Sequence, residues 1–170
     1  YGLIAYASSL DQIGTFGRNV SDCIASLEII SGHDPMDGSS ANKKSYSYTE
    51  ALIDDVKGMK IGIPKDFLGE GLEDDIRKST LEAVEIFRSR GALVEEFDLP
   101  YMEYGIATYY AISCAEASSN LSRFDGVRYG YRANEYDDLQ ELYMKSRGEG
   151  FGMEVKRRLM IGGLVLTSDY

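Results

Sequence analysis

The chain has 170 residues, 44% of them hydrophobic and 27% charged, with a net charge of −10 and a pI near 4.6. A surface this acidic does not grip a phosphate backbone, which needs a basic patch, and no apolar run approaches the ~20 residues that span a bilayer. Cys23 and Cys114 lack metal-ligand spacing and read as buried free thiols in a reducing cytoplasm.

Tyr1 opens in mid-pattern without an initiator Met or a secretory signal, so the sequence reads as an internal piece of something longer. The first element is a helix over 19–31. Asn19 can cap it, Asp22 suits its first turn, Val20, Cys23, Ile24, Leu27 and Ile30 form its stripe, and Gly32 ends it. Residues 33–50 are polar and turn-rich, a surface connection that holds His33, the sole histidine, as a solvated turn residue. A short strand follows over 59–63, stopped by Pro64.

A helix over 73–90 comes next, with Ile76, Thr80, Ala83, Val84 and Phe87 inward, acids at its start and Arg88 and Arg90 at its end. A second strand over 92–99 is closed by Pro100. Strand, helix and strand in that order imply a right-handed parallel crossover. Helices over about 104–123, 137–147 and 151–166 complete the chain. Two strands make no stable sheet core alone, so the fold class is α/β, with further strands supplied by sequence outside these residues.

Within 109–130, Tyr109, Ser113, Glu116, Asn120 and Arg123 recur every three or four residues and fall on one helix face. Between them stand mostly small or apolar residues: Ala111, Ile112, Cys114, Ala115 and Ala117. Such a helix lies close to other backbone, and its polar row needs partners, from a structural network or from a binding site. The turn that follows carries Arg123, Asp125 and Arg128, which either brace their own loop or face outward to a ligand or partner.

Familiar catalytic sets are missing. A Ser-His-Asp or Cys-His site would have to use His33, which has no nucleophile wording around it. Three scattered His and Cys residues make no zinc site, and Gly69-Glu70-Gly71 lacks a Lys-Ser/Thr continuation for phosphate. The pairs Asp74-Asp75 and Glu95-Glu96 read as solvated faces, and Ser8-Ser9 and Ser118-Ser119 lack the glycines an oxyanion hole needs.

Three segments, YGLIAYASSLDQIGTFGRNV at 1–20, YYAISCAEASSNLSRFDGVRYG at 109–130 and SRGEGFGMEVKRRLMIGG at 146–163, together resemble the amidase signature family. The latter two resemble in particular its A subunits of tRNA-dependent amidotransferases, acting on Glu-tRNA(Gln) or Asp-tRNA(Asn). The resemblance implies a single segment, 1–170, from the central part of an amidase domain, with helices packed on a fragment of a mixed sheet. One departure is Thr15-Phe16-Gly17, where the family often has a proline-containing triplet.

Further expectations come from that resemblance. The family's Ser–Ser–Lys catalytic set belongs to a lysine-containing segment and a GGSSGGS-type region, and neither occurs here. No catalytic residue is therefore assigned, and the chain by itself is expected to be inactive. Tyr109 and Arg158 match the tyrosine and arginine that hold the donor glutamine (or asparagine), with an acidic partner beyond Tyr170. A planar guanidinium suits a carboxylate, although Arg158 could equally pair with Glu154 on a helix surface, and the register decides between Arg157 and Arg158. Asn120, Arg123, Asp125 and Arg128 would lie at the pocket mouth or a subunit contact. The implied partners are subunits B and C, with tRNA, ATP and Mg2+ handled by B; no cofactor or metal is assigned to this chain. Another amidase signature hydrolase and a non-catalytic interaction module are the competing readings.

Overall fold

The computed structural model describes residues 2–43, 47–53 and 55–167. They gather into two compact units, one formed by Ile13–Met102, the other by Tyr1–Gln12 with Glu103–Tyr170.

In the first unit, helix α1 spans Val20–Ile30. Asn19 caps it as expected, its side-chain oxygen accepting from Asp22 N at 2.8 Å. The helix closes at Ser31, whose N–H donates to Leu27 O at 3.0 Å. Thr15 binds back to it, Oγ1 donating to the Cys23 carbonyl at 2.9 Å. The polar connection after α1 is stitched by its own acids, Asp34 accepting from Met36 N and Asp37 from Ser39 N, both at 2.9 Å. Residues 44–46 of that connection lie outside the described residues.

Strand β1, Lys60–Pro64, pairs in parallel with β2, Leu93–Phe97, in a register running from Lys60↔Leu93 to Pro64↔Phe97. Pro64 ends β1 rather than standing beyond it, because a strand's last residue can accept without donating. Phe97 lies across Gly62: a Cβ there would meet its ring at 2.8 Å. Helix α2, Asp74–Ser89, connects the two strands. Its start is braced by Arg77, whose guanidinium donates to the carbonyls of Leu68, Gly69 and Leu72.

Of the five α2 residues expected inward, Val84 is buried, whereas Ile76, Thr80, Ala83 and Phe87 are exposed. The physical reason is area. A two-stranded sheet offers one narrow apolar strip, and a helix stripe of that width needs several strands beneath it. The α/β architecture is as expected; the observed strand pair is parallel, and the described residues contain no antiparallel strand.

The second unit is helical. Helix α3 spans Gly105–Asn120 and continues into a tight 3-10 turn at Leu121–Arg123. Helix α4 spans Leu139–Gly150 and α5 Met153–Val165. Ser113, Cys114 and Ala117 are the buried side of α3, packed on α5 at Gly162. A Cβ on Gly162 would lie 1.9 Å from the Cys114 carbonyl oxygen. This is the close backbone approach that the small residues of α3 imply.

Helix α4 runs through Gly148 to Gly150, three residues past its expected end at 147. Its last residue, Gly150, packs closely: a Cβ there would stand 3.1 Å from Tyr131 Cβ. Residues 2–5 form no strand, so the turn at 6–10 follows none here. That turn is held by Asp11, which accepts from Tyr6 N at 2.9 Å and Ala7 N at 3.2 Å.

Candidate functional site

The polar row of α3 finds its partners in residues 6–9. Ser9 donates twice to Glu116, through N at 2.9 Å to Oε2 and through Oγ to Oε1. Asn120 Nδ2 donates to the Tyr6 carbonyl and to Ser8 Oγ, both at 3.1 Å. Its Oδ1 accepts from Arg123 at 3.4 Å, while Ser113 turns back to the Tyr110 carbonyl. One helix face thereby fixes a segment more than 100 residues away in sequence.

The two Ser9 donors hold the Glu116 carboxyl below its ordinary value, first through the hydroxyl and then through the N–H. A depressed carboxylate contributes stability above its unfolded value, about 4.3, and loses it as pH falls through the lower folded value. Glu116→Gln is accordingly expected to abolish that acid-side loss. Hydrogen exchange at the Ser9 amide checks it: protection should fall in acid in the parent sequence and stay level with pH in the variant.

Arg158 projects from α5 toward the same segment. Nε donates to Glu154 Oε1 and Nη1 to the Tyr6 hydroxyl, each at 3.0 Å, with the guanidinium 5.6 Å from the Tyr6 ring centre. Both partners hold its pKa above the ordinary arginine value, Tyr6 first and Glu154 second. The Glu154 carboxyl is lowered, mainly by the Arg158 hydrogen bond. Register separates the neighbouring arginines: the Arg158 side chain is 30% exposed, that of Arg157 66%, and Arg157 pairs outward with Glu154 at 2.9 Å.

Arg158 and the more exposed Arg157 both line a cleft of about 390 Å³ between α3 and α5, with Tyr110, Cys114, Glu154 and Ile161 among its other walls. Tyr109 stands one step round the helix, half exposed, its ring edge-on to Tyr110 at 5.4 Å. Tyr110 is thus the tyrosine that shares a wall with Arg158. Asn120 and Arg123 line a different cavity of about 500 Å³, with Phe124, Tyr129 and residues 2–5.

Asp125 braces its own loop. Its Oδ1 accepts from Val127 N at 2.8 Å and Arg128 N at 3.1 Å, which lowers its carboxyl. Gly126 follows at φ +79°, a conformation that favours glycine, and lies against Ser146. The structure thus brings Asn120 and Arg123 together, places Asp125 and Arg128 in the adjoining turn, and sets Arg158 against Tyr6.

Residues the sequence left without a role are Tyr6, Ser9 and Arg147. Arg147 Nη1 donates to the carbonyls of Leu121 at 2.9 Å and Phe124 at 3.1 Å. A cation near the end of a predicted helix was a weak signal for it. For Tyr6, which meets Arg158 across 152 positions, no local signal exists.

Among the described residues no three His, Cys, Asp or Glu side chains gather as a metal site, and no helix is long and apolar enough to cross a membrane.

Comparison with known proteins gives consistent matches along the whole chain. It is 59% identical over 170 residues to the A subunit of the glutamyl-tRNA(Gln) amidotransferase of Agathobacter rectalis and 58% identical to that of Lachnospira eligens. The chain spans about a third of the length of these relatives, 34% and 35%. The crystal structure of the glutamyl-tRNA(Gln) amidotransferase A subunit from Thermotoga maritima matches all of this chain and 32% of its own, with a TM-score of 0.65 at 36% identity. A bacterial aryl acylamidase of the amidase signature enzymes shares the fold, with a TM-score of 0.60 at 16% identity over 89% of this chain and 29% of its own. The amidase family model matches residues 1–170, and the chain belongs to the amidase family, as the wording of its three segments implied.

Proposed function

We propose that this chain is the central part of the glutaminase subunit of a tRNA-dependent amidotransferase. The parent would hydrolyse glutamine and supply ammonia for converting Glu-tRNA(Gln), or Asp-tRNA(Asn), to the amide. The observation that carries this reading is identity of 59% and 58% with A subunits, held over all 170 residues. In this reading the complex is cytoplasmic, subunits B and C are the partners, and B handles tRNA, ATP and Mg2+. The net charge of −10 agrees with leaving the RNA to a partner.

Arg158 is assigned to the α-carboxylate of glutamine. Its fork is held at Nε and Nη1, so Nη2 is the nitrogen left for a ligand among the described partners. Tyr109 is assigned to the same donor, and Asn120, Arg123, Asp125 and Arg128 to the mouth of the pocket or a subunit contact. The nucleophile and its lysine base are assigned to segments outside these residues. A fixed carboxylate grip would hold the donor beside them, an interaction that binds ground and transition states alike.

Ammonia release from glutamine is the direct test. The 170 residues by themselves are expected to be silent, and the longer subunit carrying the lysine and Gly/Ser-rich segments to be active. Turnover by the 170 residues alone would overturn the assignment of the nucleophile to sequence outside them.

A further inference from the structure

The end of α3 is held from its own turn and from α4. The last carbonyls of a helix have no partner within it; here Ser119 O accepts from Ser122 Oγ at 2.6 Å and Leu121 O from Phe124 N at 3.2 Å, and α4 adds a further donor. Arg147 Nη1 bridges the carbonyls of Leu121 and Phe124, while the guanidinium lies 5.0 Å from the Phe151 ring centre. A guanidinium can do both, facing a ring while its several N–H groups reach carbonyls, and a lysine offers one nitrogen for the same tasks.

The same stretch of α4 also holds the far side of the loop. Buried Ser146 Oγ accepts from Ala133 N at 3.0 Å, and Gly126 is packed so closely that a Cβ would stand 2.6 Å from that oxygen. Tyr131 donates its hydroxyl to Glu149 at 2.6 Å and rests on Gly150. Between these ties the loop is self-braced by Asp125. Arg147 is therefore the tie between α4 and the part of the turn that bears Arg123 and Phe124, two walls of the 500 Å³ cavity.

We propose that Arg147 is a positioning residue for glutamine use: it sets the Leu121–Phe124 turn, and through it Asn120 and Arg123, without meeting the substrate. This rests on the glutaminase reading. In the complete amidotransferase, Arg147→Ala is expected to raise KM for glutamine on the order of 10-fold, as a displaced positioning group does. Arg147→Lys should recover part of that loss. Amidation with ammonium as the nitrogen donor should be unchanged in both variants, because it bypasses the glutamine site.

Loss of glutamine and ammonium use in equal measure would mark Arg147 as structural support for the assembly and overturn the inference. An unchanged KM in both variants would also overturn it, with the glutaminase reading left standing. Where Arg147→Ala fails to assemble, Arg147→Lys carries the comparison, its KM rising while ammonium use holds. A parental complex that releases no ammonia from glutamine would instead overturn the reading on which the inference rests.

Discussion

Gly162→Ala is expected to destabilise the intact subunit by about 1–3 kcal/mol, the range for overpacking a fitted interface. The usual ledger for such a change points the other way, since alanine in a helix interior is favoured over glycine by about 1 kcal/mol. Geometry decides against propensity here. The new Cβ would stand 1.9 Å from the Cys114 carbonyl oxygen and 2.8 Å from Ser118 Cβ. A carbonyl inside α3 cannot rotate away as a flexible side chain could, so the two helices would have to separate. Separation opens a gap beside Cys114 and Ala117, which are 1% and 0% exposed, and forfeits their dispersion contacts. Gly163 supplies the control, because a Cβ there meets nothing within 4 Å. Urea unfolding should show a lower midpoint at unchanged slope for Gly162→Ala, and a midpoint equal or higher for Gly163→Ala. Equal midpoints for the two variants would mean that α3 and α5 do not approach this closely.

The α3–α5 approach was legible because it is written in local residue types. A stripe of Cys114 and Ala117 flanked by polar positions has few uses other than close packing, and the polar row at Glu116 and Asn120 had to be satisfied by something. The α1 cap was legible for the same reason, since Asn19 answers a need of the adjacent backbone. What the row would bind was not legible. Ser9 and Tyr6 reach α3 from 107 and 114 positions away, and their spacing in sequence carries no trace of that meeting. The end of α4 misled because glycine can end a helix or admit a close neighbour, and Gly150, its last residue, lies against Tyr131. The inward stripe of α2 held at Val84 alone, and Ile76 at 53% exposure shows how little of such a stripe two strands can cover.

Arg158→Ala is expected to raise KM for glutamine in the intact enzyme on the order of 10- to 100-fold, the range for losing one charge-assisted hydrogen bond from a ligand. The α-carboxylate of glutamine is remote from the scissile amide. An interaction there is made equally in the ground and transition states, so KM should carry the loss while kcat changes less. Arg158→Lys should rescue little, since a lysine cannot hold Glu154 and the Tyr6 hydroxyl through two nitrogens while offering a third to a carboxylate. Tyr6→Phe isolates the other half of the arrangement: the ring remains under the guanidinium, the acceptor for Nη1 goes, and an intermediate rise in KM is expected. Arg157→Ala is the matched control. Its side chain is 66% exposed and pairs with Glu154 at the surface, where an ion pair is worth little. Glutamine kinetics should therefore be unchanged by it. A large effect at Arg157 with none at Arg158 would turn α5 by one residue and reassign the carboxylate grip; no effect at either would remove α5 from the donor site altogether.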